Sequence, residues 1–242
     1  MSIKLDFKKL IIKEQKSGLK GNINIPGDKS ISQRSLIFAL ISVGTTKITN
    51  ILESEDVIHT LKAVKLLGAN VIKKNNMVLV KGIGLGSLKS PQKPIYMGNS
   101  GTGVRLLIGL VAGSNAKVTF YGDNSLSNRP MDRIIKPLEN IGAKFFSNEN
   151  YKLPVTVIGA MENGYPIPVD YKLPVASAQV KSALILAALT SRGTSKIKEI
   201  SKSRDNTEVM LKACGAKIKI TKSKSPLIKV EGATFLSATD VD

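Results

Sequence analysis

The chain has 242 residues, with 36 Lys plus Arg against 18 Asp plus Glu, one His, one Cys and a formal net charge of +18. That length suits one large or two modest domains, and 42% hydrophobic residues supply a core that excludes wholesale disorder. The longest apolar runs, such as Ile108 to Ala112, are far too short for a bilayer, while a lone Cys214 and a lone His59 exclude intrachain disulfides, zinc ribbons and multi-His metal sites.

Met1 to Lys20 mixes Lys and Glu among its apolar residues and does not read as a signal peptide. The first strong element opens at Gly27-Asp28-Lys29-Ser30-Ile31-Ser32-Gln33-Arg34 and enters an apolar helix, Leu36 to Ser42. The turn Glu53-Ser54-Glu55-Asp56 leads into an amphipathic helix in which Val57, Leu61, Val64 and Leu67 recur at helical spacing, and Gly68 suits its left-handed stop. His59 falls between those apolar positions and reads as a surface residue rather than a general base. Two strands follow, at Ala69-Asn70-Val71 and Met77 to Gly82.

The succession then returns twice. Gly98-Asn99-Ser100-Gly101-Thr102-Gly103-Val104-Arg105 enters Leu106 to Ala112, the turn Ser127 to Arg133 precedes a helix ending at Gly142, and strands lie near Lys144 and over Pro154 to Gly159. Ala176 to Lys181 enters Ala183 to Thr190, the turn Ser203 to Glu208 precedes a helix ending at Gly215, and strands lie near Lys217 and over Leu227 to Gly232. The Gly-Ala pairs begin at 68, 142 and 215, spacings of 74 and 73 residues, which predicts three copies of one supersecondary unit, an α/β class fold and three-fold pseudosymmetry.

Each apolar helix starts with residues suited to an N-cap and with a cation in its first turns, and helix N-termini attract anions through free N–H groups and the positive dipole end. Pseudosymmetry would bring these starts to one region. Pro130 fits a first helical turn, and Ser203 with Asn206, and Thr207 with Glu208, can supply caps; capping equally explains Asp28, Asp56 and Asp205. Arg129 and Arg204 sit in strand-to-helix turns, where a guanidinium holds either a phosphate or a neighbouring carboxylate such as Asp132 or Asp205.

Five motifs in order resemble the 5-enolpyruvylshikimate-3-phosphate synthase family: Pro26 to Ser35; Gly98-Asn99-Ser100-Gly101-Thr102 with Arg105; Arg129-Pro130-Met131; Leu173 to Ser182; and Ser203-Arg204-Asp205 with Thr207-Glu208. The resemblance implies an enolpyruvyl transferase-type domain of three pseudo-symmetric βαβαββ repeats, an inside-out α/β barrel, with repeats at about 21–90, 91–165 and 166–236. It also implies that 1–20 is a stub strand of a second domain, that 237–242 is a crossover stub and that about half of the family's length is missing here.

The implied reaction transfers the enolpyruvyl group of phosphoenolpyruvate to the 5-hydroxyl of shikimate 3-phosphate. Carried over by motif, Lys29, Ser30, Arg34, Ser177, Ala178, Gln179 and Arg204 hold shikimate 3-phosphate. Lys29, Asn99, Gly101, Thr102, Arg129 and Gln179 hold phosphoenolpyruvate, with Lys29 the catalytic candidate and Arg105 and Arg133 either ligands or supporting ion pairs. Gly101 stands where glyphosate-tolerant relatives carry Ala, which implies sensitivity of the intact enzyme, and Asn206 replaces a frequent His. The same resemblance implies a cytoplasmic monomer without cofactor, metal, nucleic-acid or membrane partners, and a fragment inactive alone. The rival readings are UDP-N-acetylglucosamine enolpyruvyl transferase, whose reactive cysteine Cys214 does not match, and a basic nucleic-acid-binding module, which the diffuse lysines and absent Trp argue against.

Overall fold

A computed structural model describes residues 18, 20–23, 25–75 and 77–242, so the stub strand expected over 1–20 falls almost wholly outside the described residues. The first unit contains α1 (Lys29–Ile41), β1 (Thr45–Thr49), α2 (Glu55–Leu66), β2 (Asn70–Lys74) and β3 (Met77–Lys81). The second contains β4 (Ile95–Tyr96), α3 (Gly101–Ala112), β5 (Lys117–Tyr121), the short α4 (Asn124–Ser127), α5 (Asp132–Glu139), β6 (Lys144–Asn148) and β7 (Lys152–Ile158). The third contains β8 (Asp170–Lys172), α6 (Ala178–Ala188), β9 (Thr194–Lys198), α7 (Asn206–Ala213), β10 (Ile218–Ile220) and β11 (Leu227–Glu231).

Beyond their first turns, helices α1, α3 and α6 are apolar on every side, so those stretches can only be buried. Leu36 to Ile41, Leu106 to Leu107 and Ala183 to Leu189 are all inside, and the three helices form the centre of the molecule. The sheets lie outside them, each with one buried face: in β1 Thr46 and Ile48 point inward while Lys47 is exposed. Sheet orders are β1-β3-β2, β4-β5-β7-β6 and β8-β9-β11-β10, the same arrangement repeated. Helices inside and sheets outside give the expected inverted barrel its physical form.

The first sheet differs at one edge. In units two and three a leading strand, β4 or β8, runs parallel to β5 or β9. In unit one that edge is taken by the end of the chain: Ser237 bridges Val43 and Val241 bridges Ile48, both parallel. Val43 N donates to Leu236 O at 2.8 Å, and Thr49 N to Val241 O at 2.9 Å. Residues 237–242, expected as a crossover stub, therefore lie along β1 as its missing neighbour.

Glycine sets the contact between sheets and helices. Gly82, Gly159 and Gly232 follow the last strand of each unit, and each passes against the C-terminal end of its unit's central helix. A Cβ there would lie 2.1 Å from Ala39 O and Ser42 O, 2.0 Å from Ser114 O, or 2.0 Å from Ser191 O. Each of the three N–H groups donates at 3.0 Å to a carbonyl in the turn beyond the helix, Gly44 O, Ala116 O or Gly193 O. The helix stops behave as the sequence predicts, with φ of +122° at Gly68, +102° at Gly142 and +98° at Gly215.

Several local expectations change. Pro130 precedes the N-cap Met131 instead of occupying the first turn of α5. Asp205 is the N-cap position of α7 but makes no side-chain cap bond, and Ser203, Thr207 and Glu208 turn to other partners. His59 is half-buried rather than a free surface residue. Its ring meets Tyr96 edge-on at 5.0 Å, and a Cβ on Gly98 would fall 2.5 Å from its Cδ2. Among the described residues, no helix is long and apolar enough to cross a membrane.

Candidate active site

The three central helices begin with side chains that cap them. Asp28 Oδ1 accepts from Ile31 N at 2.8 Å, Ser100 Oγ from Gly103 N at 3.2 Å, and Ser177 Oγ from Val180 N at 3.4 Å. A ring of side-chain bonds then ties each first turn to the next unit. Gln33 of α1 donates to Ser100 Oγ at 2.6 Å and to Thr60 Oγ1 of α2 at 3.0 Å. Arg105 of α3 donates to Gln179 Oε1 of α6 at 3.2 Å, and Gln179 Nε2 returns a bond to Thr102 Oγ1 at 2.9 Å. Arg34 of α1 closes the ring, donating to Ser182 Oγ of α6 at 3.2 Å and to Thr207 Oγ1 of α7 at 2.8 Å. These bonds converge the helix N-termini on one face, where their dipoles add for an anion.

Cations gather at that face. Arg105, Arg129 and Arg133 line a cavity of about 270 Å³ together with Pro130, Met131, Ile134, Ser177, Gln179 and Val180. Arg129 Nη2 donates to Asn99 Oδ1 at 2.6 Å, and Arg105 to Gly101 O at 3.1 Å. Burial lowers the pKa of Arg105 first, and repulsion from Arg129 and Arg133 lowers it further. Among the described residues no carboxylate lies within ion-pair distance of these three guanidiniums. Neither Asp132 nor Asp205 pairs with Arg129 or Arg204; Asp205 faces Lys202 at 3.7 Å. Arg204 is exposed, on the loop between β9 and α7. The cavity thus stores like-charge repulsion that a dianion would relieve.

The sequence model of the family described as EPSP synthase (3-phosphoshikimate 1-carboxyvinyltransferase) matches residues 13–242. The chain belongs to the EPSP synthase family. Among curated EPSP synthases, the 3-phosphoshikimate 1-carboxyvinyltransferase of Parvibaculum lavamentivorans is 48% identical over 218 residues, covering 90% of this chain and 48% of that protein. The protein of the same description from Oceanobacillus iheyensis is 49% identical over 203 residues, covering 83% and 46%. A solved EPSP synthase from Acinetobacter baumannii superposes with a TM-score of 0.84 at 40% identity, over 91% of this chain and 48% of that one. The chain spans about half the length of the curated relatives it matches.

Within this EPSP synthase fold the motif residues take distinct positions. Lys29 is half-exposed, with Nζ 2.9 Å from Asp56 Oδ2, so Asp56 is a counter-ion rather than a cap. Ser30 accepts from Arg34 through its carbonyl at 3.1 Å. Arg34 is only 5% exposed, and all three guanidinium nitrogens donate to protein atoms. Burial pushes its pKa down, with Glu208 and Asp28 opposing and Arg204 reinforcing the fall. A shikimate contact from Arg34 therefore requires it to exchange a partner or to act through Ser30. Ser177, Ala178 and Gln179 form the start of α6.

Lys181 is where sequence reasoning misjudged a cation. Counted among the anion-attracting charges at the helix starts, it is 1% exposed and held by Glu199 and Glu208. No periodic stripe marks which face of an all-buried helix a lysine occupies. Cys214 is buried, and burial raises its thiol pKa, the opposite of an activated nucleophile.

Proposed function

We propose that this chain is the shikimate 3-phosphate-binding half of an enzyme that transfers the enolpyruvyl group of phosphoenolpyruvate to the 5-hydroxyl of shikimate 3-phosphate. The observation that carries the reading is the cluster of Arg105, Arg129 and Arg133 without carboxylate partners among the described residues, beside converged helix N-termini. Both substrates carry a phosphate and a carboxylate, the chemistry such a cluster selects. The backbone from Asn99 to Thr102 and the Arg129 fork cradle the phosphoenolpyruvate phosphate. Ser177, Ala178, Gln179, Ser30 and Arg204 hold shikimate 3-phosphate, with Arg34 behind them. Lys29 reaches both ligands once it leaves Asp56, and Gln179 bridges the two subsites. A second domain, for which 1–20 would supply a strand, completes a monomeric cytoplasmic enzyme.

Calorimetric titration of the 242-residue chain with shikimate 3-phosphate tests this. Binding at millimolar concentration or tighter supports it, with Arg204→Ala weakening affinity at least about tenfold, the loss of roughly 1.4 kcal/mol from one charge-assisted contact. No heat at millimolar ligand counts against it.

Gly101 yields a separate expectation. A Cβ there would lie 2.9 Å from Arg129 Nη1 and 3.0 Å from Arg105 Nη1, both movable side-chain tips. Gly101→Ala should therefore melt within about 2 °C of the wild type, as substitutions without backbone conflict do. Its phosphoenolpyruvate affinity should fall about tenfold, because both guanidiniums must swing from the cavity. Unchanged affinity in a folded variant would show that the guanidiniums do not grip the ligand. With Gly101 in place, the intact enzyme should be sensitive to glyphosate; activity undiminished at millimolar inhibitor would contradict this.

A further inference from the structure

We infer that Lys181, with Glu199 and Glu208, is a positioning unit that fixes the Arg204 loop against the start of α6. The inference rests on the shikimate 3-phosphate reading above and adds residues that touch no ligand. Lys181 Nζ lies 3.1 Å from Glu199 Oε2 and 2.8 Å from Glu208 Oε1, with the three side chains 1%, 2% and 1% exposed. Glu199 directly follows β9, and Glu208 lies in the first turn of α7, so one ammonium grips both ends of the loop that carries Arg204. Within the loop, Ser203 Oγ donates to the other oxygen of Glu199. Arg204 is thus held through its neighbours while its own side chain stays exposed.

Pseudosymmetry shows that the fold itself does not require these charges. The position four residues after each N-cap is Ser32 in α1, Val104 in α3 and Lys181 in α6, all buried. The position seven residues before each helix-ending glycine is Leu61, Ile135 or Glu208. Unit two fills both places with apolar side chains, Val104 and Ile135, each fully buried. In unit one Ser32 Oγ instead accepts from Leu52 N at 3.0 Å, holding the corresponding loop to α1 without a buried charge. Buried ion groups of this kind seldom stabilise more than apolar residues of similar volume, and their best-attested use is to fix one arrangement. Among the described residues Glu208 Oε2 has no hydrogen-bond partner, as in a group not optimised for stability alone. Arg34 of α1 donates to Ser182 Oγ and Thr207 Oγ1, the neighbours of Lys181 and Glu208, so α1 is tied to the same ends of α6 and α7.

The test is the double variant Lys181→Met/Glu199→Gln of the 242-residue chain. It removes one charge of each sign, keeps an acceptor for Ser203 and leaves Glu208 to act on Arg34. The variant should fold and melt no lower than the wild type, yet bind shikimate 3-phosphate at least tenfold more weakly. Phosphoenolpyruvate, taken by the Arg129 cavity, should bind within twofold, whereas general loosening would weaken both ligands alike. Ser203→Ala, which cuts only the strap inside the loop, should lose affinity in the same direction. Without any ligand, backbone heteronuclear NOEs over residues 201–205 should fall in the double variant. A wild type that fails to bind shikimate 3-phosphate refutes the proposed function, and the NOEs then decide the strap. A double variant that does not fold, that binds within twofold, or that keeps its loop NOEs overturns the inference.

Discussion

Gly159→Ala will destabilise the chain by roughly 3 kcal/mol, the upper end of overpacking costs, and Gly82→Ala and Gly232→Ala will do the same. At each position the atom nearest the added methyl is a backbone carbonyl oxygen. At Gly159 it would sit 2.0 Å from Ser114 O and 2.5 Å from Val111 O, carbonyls at the end of α3. Relief requires β7 to lift off the helix end, which also stretches the bond from Gly159 N to Ala116 O. Gly82 and Gly232 face the same conflict against α1 and α6. Gly142→Ala is the control: its φ of +102° penalises alanine by about 1–2 kcal/mol, but the nearest atom to a Cβ, Ala160 Cβ, is 3.6 Å away. Urea unfolding of the four variants should rank the strand-end glycines as costlier. If Gly159→Ala and Gly142→Ala unfold at the same midpoint, the close approach is not rigid.

Much of this architecture is legible in the residues. The Gly-Ala spacing reveals the three units, and Asp28, Ser100 and Ser177 cap the helices that their types favour. What stays hidden depends on partners distant in sequence. The Val241–Ile48 bridge joins residues with no local pattern to link them, so nothing in the sequence marks 237–242 as the edge of the first sheet. Gln33, Arg34, Arg105 and Gln179 read as ligand-facing or neutral, yet they form the inter-unit ring, because polar residues on an all-buried helix carry no periodic signal of direction. The glycine after the last strand of each unit does carry a sequence signal: it recurs in all three units as Gly82, Gly159 and Gly232, and a repeated glycine after an apolar strand marks a close backbone approach.

The 242 residues alone will bind shikimate 3-phosphate but transfer no enolpyruvyl group. Addition to phosphoenolpyruvate and elimination of phosphate require a proton delivered to the methylene carbon and later removed. General acid–base groups contribute typically about 10²–10⁴-fold each. Most carboxylates near the converged helix starts already have partners. Asp28 caps α1, Asp56 faces Lys29 at 2.9 Å, and Asp205 faces Lys202 at 3.7 Å. Glu199 and Glu208 are sealed around Lys181. His59 is packed against Tyr96 and Gly98. On the proposed reading Lys29 is the acid–base candidate, and it is itself paired with Asp56 and offers one group for two opposed proton transfers. On that reading the arrangement holds anions without moving their protons. Incubation with millimolar shikimate 3-phosphate and phosphoenolpyruvate should release no phosphate above the enzyme-free rate, while calorimetry on the same sample records shikimate 3-phosphate binding. Phosphate release that requires both substrates would place a working acid or base among these residues and overturn the assignment of their carboxylates to structure.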